Sequence, residues 1–168
     1  YIKKSYTLLP ATFWATPQNN LPIALANIQL ELQEQLKSLK KRKKLVEYQR
    51  LEQRVQYDLE MLRENGWCQG IENYSSQLEF RKPGQAPFSL VDYFAHASKN
   101  NFLMFIDESH ISTPQIRAMS VQDRIRKETL IDFGFRLPSA IDNRPLTFKE
   151  FTERQGKTIY VSATPAPY

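Results

Sequence analysis

The chain has 168 residues, 41% of them hydrophobic, a length that suits one domain or part of a larger protein. No apolar run approaches the roughly 20 residues of a membrane span, and no signal-peptide pattern is present, so we expect a cytoplasmic protein without membrane partners. The net charge of +5 is compatible with polyanion binding. The single cysteine, Cys68, excludes an internal disulfide.

Helix formers dominate the first third of the chain after an irregular stretch, 1–16. Thr16 and Pro17 are typical of a helix start, and Gly66 is typical of a stop. We therefore predict one helix over about residues 17–65, roughly 70 Å long at 1.5 Å per residue if it is unbroken. Its apolar positions form a single stripe. They include Leu32, Leu36, Leu39, Val46, Leu51, Val55, Leu59 and Leu62.

The middle of this helix is strongly basic. Two interpretations stay open: a solvated face on a projecting helix, or a contact with a phosphate backbone. Periodicity does not choose between them, because the charges surround the helix. The basic residues are Lys37, Lys40, Lys41, Arg42, Lys43 and Lys44.

Five consecutive apolar residues, 102–106, run directly into Asp107, Glu108, Ser109 and His110. Such a run needs burial on both faces, as in an inner strand of a parallel sheet, and we predict a strand over about 102–107. Acids at the carboxyl end of such a strand lie where open α/β sheets bind ligands. In a Walker-B element the Asp holds the Mg²⁺ of a nucleotide triphosphate, and a Glu polarises the attacking water. An ordinary exposed turn is the alternative.

The flanking stretches predict short helices and turns. Ser89 is expected to cap a helix through Phe94. Another helix is predicted to start at Thr113 and Pro114 and to end near Gly134. A further short helix is predicted over 148–154.

A second strand is predicted at about 158–162, followed by the hydroxyls of Ser162 and Thr164. The stretch 156–158 has the Gly-Lys-Thr ending of a phosphate-binding loop, but it enters a strand instead of opening a helix. Phe151 also stands where that loop requires a glycine. We therefore reject a phosphate-binding loop here.

The two strand ends together resemble motifs II and III of superfamily 2 helicases, Asp-Glu-x-His and Ser-Ala-Thr. The resemblance implies that Asp107 holds Mg²⁺ and that Glu108, which also belongs to the nucleotide site, activates the hydrolytic water. It further implies that His110, Ser162 and Thr164 couple the nucleotide state to the nucleic-acid site.

Longer strings resemble the UvrB family of bacterial nucleotide-excision-repair proteins, in order and spacing, over nearly the whole chain. The family implies an α/β fold: a partial RecA-like (P-loop NTPase) motor lobe that is predominantly helical, with two short parallel strands. Residues 1–16 would return from a missing insertion domain, 17–66 would be the long basic helix, and 67–168 the second part of the first motor lobe. The matching strings are 70–75, 83–84, 107–110, 114–116, 126–130, 134–140, 142–146 and 160–165.

The family also implies ATP and Mg²⁺ as cofactors of the whole protein, and damaged, locally single-stranded DNA, UvrA and UvrC as its partners. UvrA and UvrC would bind through domains missing here. Without a phosphate-binding loop, residues 1–168 are predicted to be inactive alone and to hold no cofactor tightly. Ser76, residues 117–121 and Ala166 replace family-typical residues, so the resemblance does not define the details of local DNA or interlobe contact at these positions.

Four residues are predicted to contact DNA: Ile71, Tyr74, Phe135 and Arg136. Aromatic stacking beside a cation supports sequence-tolerant binding to single strands. The alternative is that the aromatic side chains are core residues.

A second functional class stays open: a non-enzymatic helical module that binds protein or DNA through the basic segment 37–44. The two readings differ in one structural expectation. A motor lobe requires strands 102–107 and 158–162 to be adjacent and parallel, with Asp107 and Ser162 at the same sheet edge, whereas in a binding module the strands need not meet.

Overall fold

The computed structural model describes residues 18–165, so the predictions for 1–16, Thr16, Pro17 and Ala166 lie outside it. The fold is mostly helical, with one parallel pair of strands, as expected. Within the described range, no helix is both long enough and apolar enough to cross a membrane.

The elements are α1 (Leu21–Lys41), α2 (Leu45–Asn65), α3 (Ser75–Leu78), α4 (Leu90–Ser98), β1 (Leu103–Ile106), α5 (Ser109–Asp132), α6 (Phe148–Arg154) and β2 (Lys157–Tyr160). Single 3₁₀ turns lie at Gln18–Asn20, Ile71–Tyr74 and Pro138–Asp142.

The prediction of one long helix over 17–65 is wrong, because the chain reverses at residues 42–44 and α2 packs back against α1. A straight helix would leave its apolar stripe in water, whereas the hairpin buries the stripe of each half against the other. Val46 belongs to the predicted stripe, but it lies just past the reversal and is 66% exposed. The reversal also takes the lysine run out of a continuous helix, where like charges three and four residues apart repel.

The reversal is a Schellman turn, a common helix ending. The amide of Lys44 donates to the carbonyl of Leu39 at 3.0 Å, and the amide of Lys43 donates to that of Lys40 at 3.1 Å. Lys43 therefore adopts the left-handed conformation, with φ of +58°, at the position where glycine is the usual residue. A side chain at this φ strains the backbone.

The hydrophobic core lies in the first half of the chain. It is formed by the facing sides of α1 and α2, by the segment 68–78 packed against them, and by Leu137. Its fully buried large side chains include Ile28, Leu32, Leu39, Leu51, Leu59 and Leu62. The hairpin is therefore the stable body of the described chain.

The second half of the chain follows the predicted caps. Ser89 caps α4, as expected, through a capping box, and Thr147 forms a second capping box at the start of α6, the short helix predicted over 148–154. The predicted start of α5 at Thr113 and Pro114 is wrong: the helix begins at Ser109 and contains Pro114 in its second turn. The reason is the tight turn at the end of β1, which passes directly into helical backbone.

The expected burial of the 102–106 run on both faces is also wrong for the described chain. Leu103 and Phe105 are 51% and 64% exposed, and only Ile106 is buried. The sheet has two strands among residues 18–165, so few side chains cover its faces.

The strained turn yields a stability prediction. Lys43→Gly should raise the free energy of unfolding by about 0.5–1 kcal/mol, because glycine adopts this φ without steric cost. Chemical denaturation monitored by circular dichroism measures the change. The matched control is Lys37→Gly on the exposed face of α1, which should lower stability by about 0.8–1 kcal/mol. Equal destabilisation by both substitutions would contradict the assigned turn.

Candidate functional site

Strand pairing brings the two predicted strand ends together. β1 and β2 are parallel, with Ile106 opposite Tyr160. The pairing continues beyond the strands: the amide of Val161 donates to the carbonyl of Ile106 at 2.9 Å, and that of Ser109 donates to the carbonyl of Val161 at 2.9 Å. Asp107 and Ser162 therefore leave the sheet at the same edge, and the expected adjacent parallel arrangement is confirmed.

The turn between β1 and α5 places both acids at a helix start. Glu108 adopts φ of +45°, and its carbonyl accepts the amides of Ile111 and Ser112 that begin α5. Asp107 Oδ1 accepts the Glu108 amide at 2.9 Å, and the Ser112 hydroxyl donates to the Asp107 carbonyl at 3.0 Å. Both carboxylates are exposed, at the end of the helix whose dipole favours negative charge.

His110 joins the acidic turn to the Ser-Ala-Thr stretch. Its Nδ1 lies 2.7 Å from Ser162 Oγ and 3.3 Å from Glu108 Oε2. The Ser162 hydroxyl in turn accepts the amide of Thr164 at 3.2 Å. One ring nitrogen thus faces both strand ends. A proton on that nitrogen can be donated to Glu108 or Ser162, whereas a bare nitrogen accepts the hydroxyl of Ser162.

The rejected Gly-Lys-Thr stretch, 156–158, leads into β2 as expected. Lys157 and Thr158 are strand residues paired with Leu103 and Met104, so their amides do not form a loop around an anion.

Two of the four predicted DNA contacts are in the core. Ile71 is 6% exposed and Tyr74 is 4% exposed, so the core alternative describes Tyr74 in this structure, and Ile71 is buried in the same core. The Tyr74 hydroxyl donates to Asp58 Oδ2 at 2.7 Å, and Arg54 Nε donates to the same oxygen at 2.9 Å. Burial, followed by the neighbouring Asp58 carboxylate, raises the pKa of Tyr74 above its usual value.

The other two predicted contacts lie on the surface. Phe135 is 44% exposed, and the guanidinium carbon of Arg50 lies 4.2 Å from the centre of its ring. Arg136 is partly exposed and donates to the carbonyl of Phe135 at 2.9 Å. No described hydrogen bond or ion pair joins Phe135 or Arg136 to the strand-end group around His110.

Sequence reasoning missed Asp58, Arg54 and Arg50. The spacing of Arg54 and Asp58 is a signal for a helical ion pair. Nothing in the sequence indicated that Tyr74 would complete that pair, or that Arg50 would cover Phe135, because both contacts join distant parts of the chain.

The departures from the family pattern have local structural roles. Ser76 is buried, and its hydroxyl donates to the Ser139 carbonyl at 3.5 Å. The guanidinium carbon of Arg117 lies 4.7 Å from the centre of the Phe148 ring, a contact that joins α5 to α6.

Comparison with known proteins identifies the family. The family model described as the UvrB third helical domain matches residues 19–80, which form the hairpin and the segment packed on it. The chain is 55% identical over 161 residues, 96% of its length, to UvrABC system protein B of Caldicellulosiruptor bescii. It is 52% identical over 99% of its length to that of Bacillus cereus, and 56% identical over 96% to that of Chloroflexus aggregans.

The chain belongs to the UvrB family. It covers 24% of the Caldicellulosiruptor bescii protein and 25% of the Bacillus cereus protein, about a quarter of the relatives' length. The similarity extends well beyond the helical domain, because the aligned 161 residues also include most or all of the half that contains the UvrB-like strand ends.

The Tyr74 contact yields a prediction about its role. Tyr74→Phe removes a donor from buried Asp58 and should cost about 1–3 kcal/mol of unfolding free energy, measured by urea denaturation. The matched control is Tyr57→Phe on the same hairpin, which is 57% exposed and should change stability by less than about 0.5 kcal/mol. A neutral Tyr74→Phe would argue that this ring is free to face a ligand.

A second prediction concerns α6, the helix that leads into β2. Two hydrogen bonds from Arg144 to Glu150, at 2.7 and 2.9 Å, lower the pKa of Glu150 from 4.5 to about 2. A lowered pKa means that ionised Glu150 stabilises the fold above pH 4.5, and that this contribution is lost as the pH falls towards 2. The Tm difference between the parent chain and Glu150→Gln should therefore be constant above pH 4.5 and should shrink as the pH falls from 4.5 to about 2.

The control for this titration is Glu153→Gln on the same helix. Glu153 is exposed, and its carboxylate lies 3.9 Å from the Lys149 ammonium, so its Tm difference should stay small at every pH. A Glu150→Gln difference that persists unchanged at pH 2 would contradict the assigned pairing.

Proposed function

We propose that residues 67–168 are the second part of the first, RecA-like motor lobe of a UvrB-type DNA-repair ATPase. One observation carries the proposal: parallel pairing places Asp107 and Ser162 at one sheet edge, and His110 contacts the second strand end from the first. Ligands of open α/β sheets bind at such carboxyl edges.

The strand-end residues fit a nucleotide with Mg²⁺. Mg²⁺ is usually held by one or two carboxylates together with phosphates and water, and exposed Asp107 has no cationic partner among the described ion pairs. When bound, Mg²⁺ would neutralise charge on the transferred phosphate. Asp107 would hold the ion, and Glu108 would orient the attacking water.

The remaining residues of the group would couple this site to DNA. His110 faces both Glu108 and Ser162, so a change at the acidic turn would alter its contact with the second strand end. Thr164 is linked to this contact by the hydrogen bond that its backbone amide donates to the Ser162 hydroxyl. We assign these three residues to transmission of the nucleotide state, with Phe135 and Arg136 as the surface contacts to DNA.

The exposed sheet supports assignment to a larger lobe. Leu103, Phe105 and Ile159 have the apolar character of inner-strand residues, yet they are 51%, 64% and 44% exposed. We propose that the rest of the protein supplies further strands that extend this sheet, together with a phosphate-binding loop that completes the nucleotide site. ATP would then drive strand probing on damaged DNA, with UvrA and UvrC as partners.

The alternative, a non-enzymatic module acting through segment 37–44, is not favoured. A simple binding module has no need for paired strands with a histidine bridging their ends. The basic segment is compatible with either class, and the family similarity supports the repair motor.

The proposal is tested in a chimera. Residues 1–168 would replace the equivalent stretch of UvrABC system protein B of Bacillus caldotenax, which is 51% identical over 99% of this chain. We expect DNA-stimulated ATPase activity from the chimera. Glu108→Gln should lower kcat at least about 100-fold, because the water loses its orienting carboxylate, while DNA binding is retained.

The matched control is Glu64→Gln, an exposed carboxylate on α2, which should leave kcat unchanged. Full ATPase activity in Glu108→Gln, or a chimera that binds DNA without hydrolysing ATP, would refute the motor assignment. Residues 1–168 by themselves should show no ATPase activity.

A further inference from the structure

The reversal between α1 and α2 carries an uncompensated positive charge. This charge comes from five consecutive basic residues, 40–44, which we call the α1–α2 tip. Lys40, Lys41 and Lys43 are exposed, and in residues 18–165 no acidic side chain forms an ion pair with them. Lys43 occupies the left-handed position of the turn, where glycine would avoid the backbone strain, so the charged side chain is present at a conformational cost.

The other two tip residues anchor the tip to the end of α5. Arg42 donates to Asp132 Oδ1 at 3.0 Å, and Lys44 Nζ donates to the Asp132 carbonyl at 2.9 Å. The last carbonyls of a helix carry partial negative charge, which favours cations there. The tip is thus held in a defined place, and its three free lysines extend beyond that anchor.

The anchor brings the tip next to two exposed aromatic rings. Residues 133–135, which we call the aromatic loop, follow α5 directly. Phe133 and Phe135 are 53% and 44% exposed, and the Lys44 ammonium lies 5.9 Å from the centre of the Phe133 ring. Arg50 donates to the Phe133 carbonyl at 2.6 Å while lying over the ring of Phe135.

Gly134 allows the aromatic loop to lie directly against α2. A Cβ at this position would lie 2.4 Å from the Glu47 carbonyl oxygen, well inside contact distance. The backbone also has φ of +70° there, which favours glycine. The loop and the first turn of α2 therefore meet backbone to backbone.

A shallow surface groove of about 560 Å³ continues from this contact along α2. Its lining combines two cations, two neutral amides and an aromatic ring. The lining residues are Val46, Gln49, Arg50, Gln53, Arg54 and Tyr57.

We propose that the α1–α2 tip, the aromatic loop and this groove form one continuous surface that binds single-stranded nucleic acid. This inference rests on the proposed function and extends its DNA contact from Phe135 and Arg136 to the helical hairpin. Free lysines neutralise phosphates, and exposed rings stack with bases without reading their identity. An acidic protein partner would use the cations but would have little use for aromatic rings placed beside them.

The test measures binding of a fluorescein-labelled oligodeoxythymidine to the 168-residue chain by anisotropy, between about 50 and 200 mM salt. The triple variant Lys40→Gln, Lys41→Gln, Lys43→Gln should flatten the slope of log affinity against log salt by about 2, the value for three lost phosphate contacts on a single strand. Phe133→Leu should weaken binding at least about five-fold at every salt concentration and leave the slope unchanged, since stacking is not ionic.

The matched control is the triple variant Lys82→Gln, Lys99→Gln, Lys149→Gln, which removes three exposed lysines elsewhere. Both triples lower the net charge from +5 by three, to +2, so a general charge effect would appear equally in both. Equal slopes in the two triples would refute the inference. So would a tip triple that keeps its affinity for the oligonucleotide but no longer binds fluorescent poly-L-glutamate, because that result assigns the surface to an acidic protein.

These outcomes are separable from the ATPase test. If the tip lysines do not affect oligonucleotide binding but the chimera hydrolyses ATP, only the proposed binding surface is refuted. If the chimera has no ATPase activity but the tip triple changes the salt slope as expected, the motor assignment is refuted and the binding surface stands.

Discussion

Mutual burial of the apolar stripes on α1 and α2 is the constraint on which the rest of this structure depends. The fully buried large side chains are concentrated in this hairpin, and the segment 68–78 packs against it. The hairpin also fixes the tip, to which the end of α5 is bonded through Asp132. An apolar stripe one helix long would otherwise remain in water, which is why the chain reverses instead of projecting.

The strand-end group has a different physical basis. Its residues are held by backbone pairing between β1 and β2, by the left-handed turn at Glu108 and by the contact of His110 with Ser162, with little apolar burial around them. Helices α4 and α6 support the strands through an ion pair, in which Arg154 lies 2.9 Å from Asp92. The chain thus joins a well-packed helical body to a lightly covered sheet edge, which agrees with the proposal that the sheet belongs to a larger lobe.

Two aromatic residues, Tyr74 and Phe135, show how burial distinguishes a core side chain from a candidate DNA contact. Tyr74 and Phe135 were equivalent in the sequence, each an aromatic residue in a stretch typical of UvrB proteins. Tyr74 fills the core and donates to Asp58 Oδ2, whereas Phe135 stays at the surface beneath Arg50. The difference comes from the partners that α2 supplies, because buried Asp58 accepts the Tyr74 hydroxyl whereas the partly exposed Arg50 lies over the Phe135 ring.

The sequence by itself determined the features that depend on neighbouring residues: the capping boxes of α4 and α6, the two strands, the acid pair that follows the first of them, and the membership in the UvrB family. Only the tertiary structure decided that the 17–65 stretch would fold back, that Val46 would face solvent, and that the lysine run would divide into two anchored residues and three free ones. These outcomes depend on contacts between residues up to 90 positions apart, such as Arg42 with Asp132. Local propensity favours a helix on both sides of residue 43, and burial of the two stripes chose the bend between them.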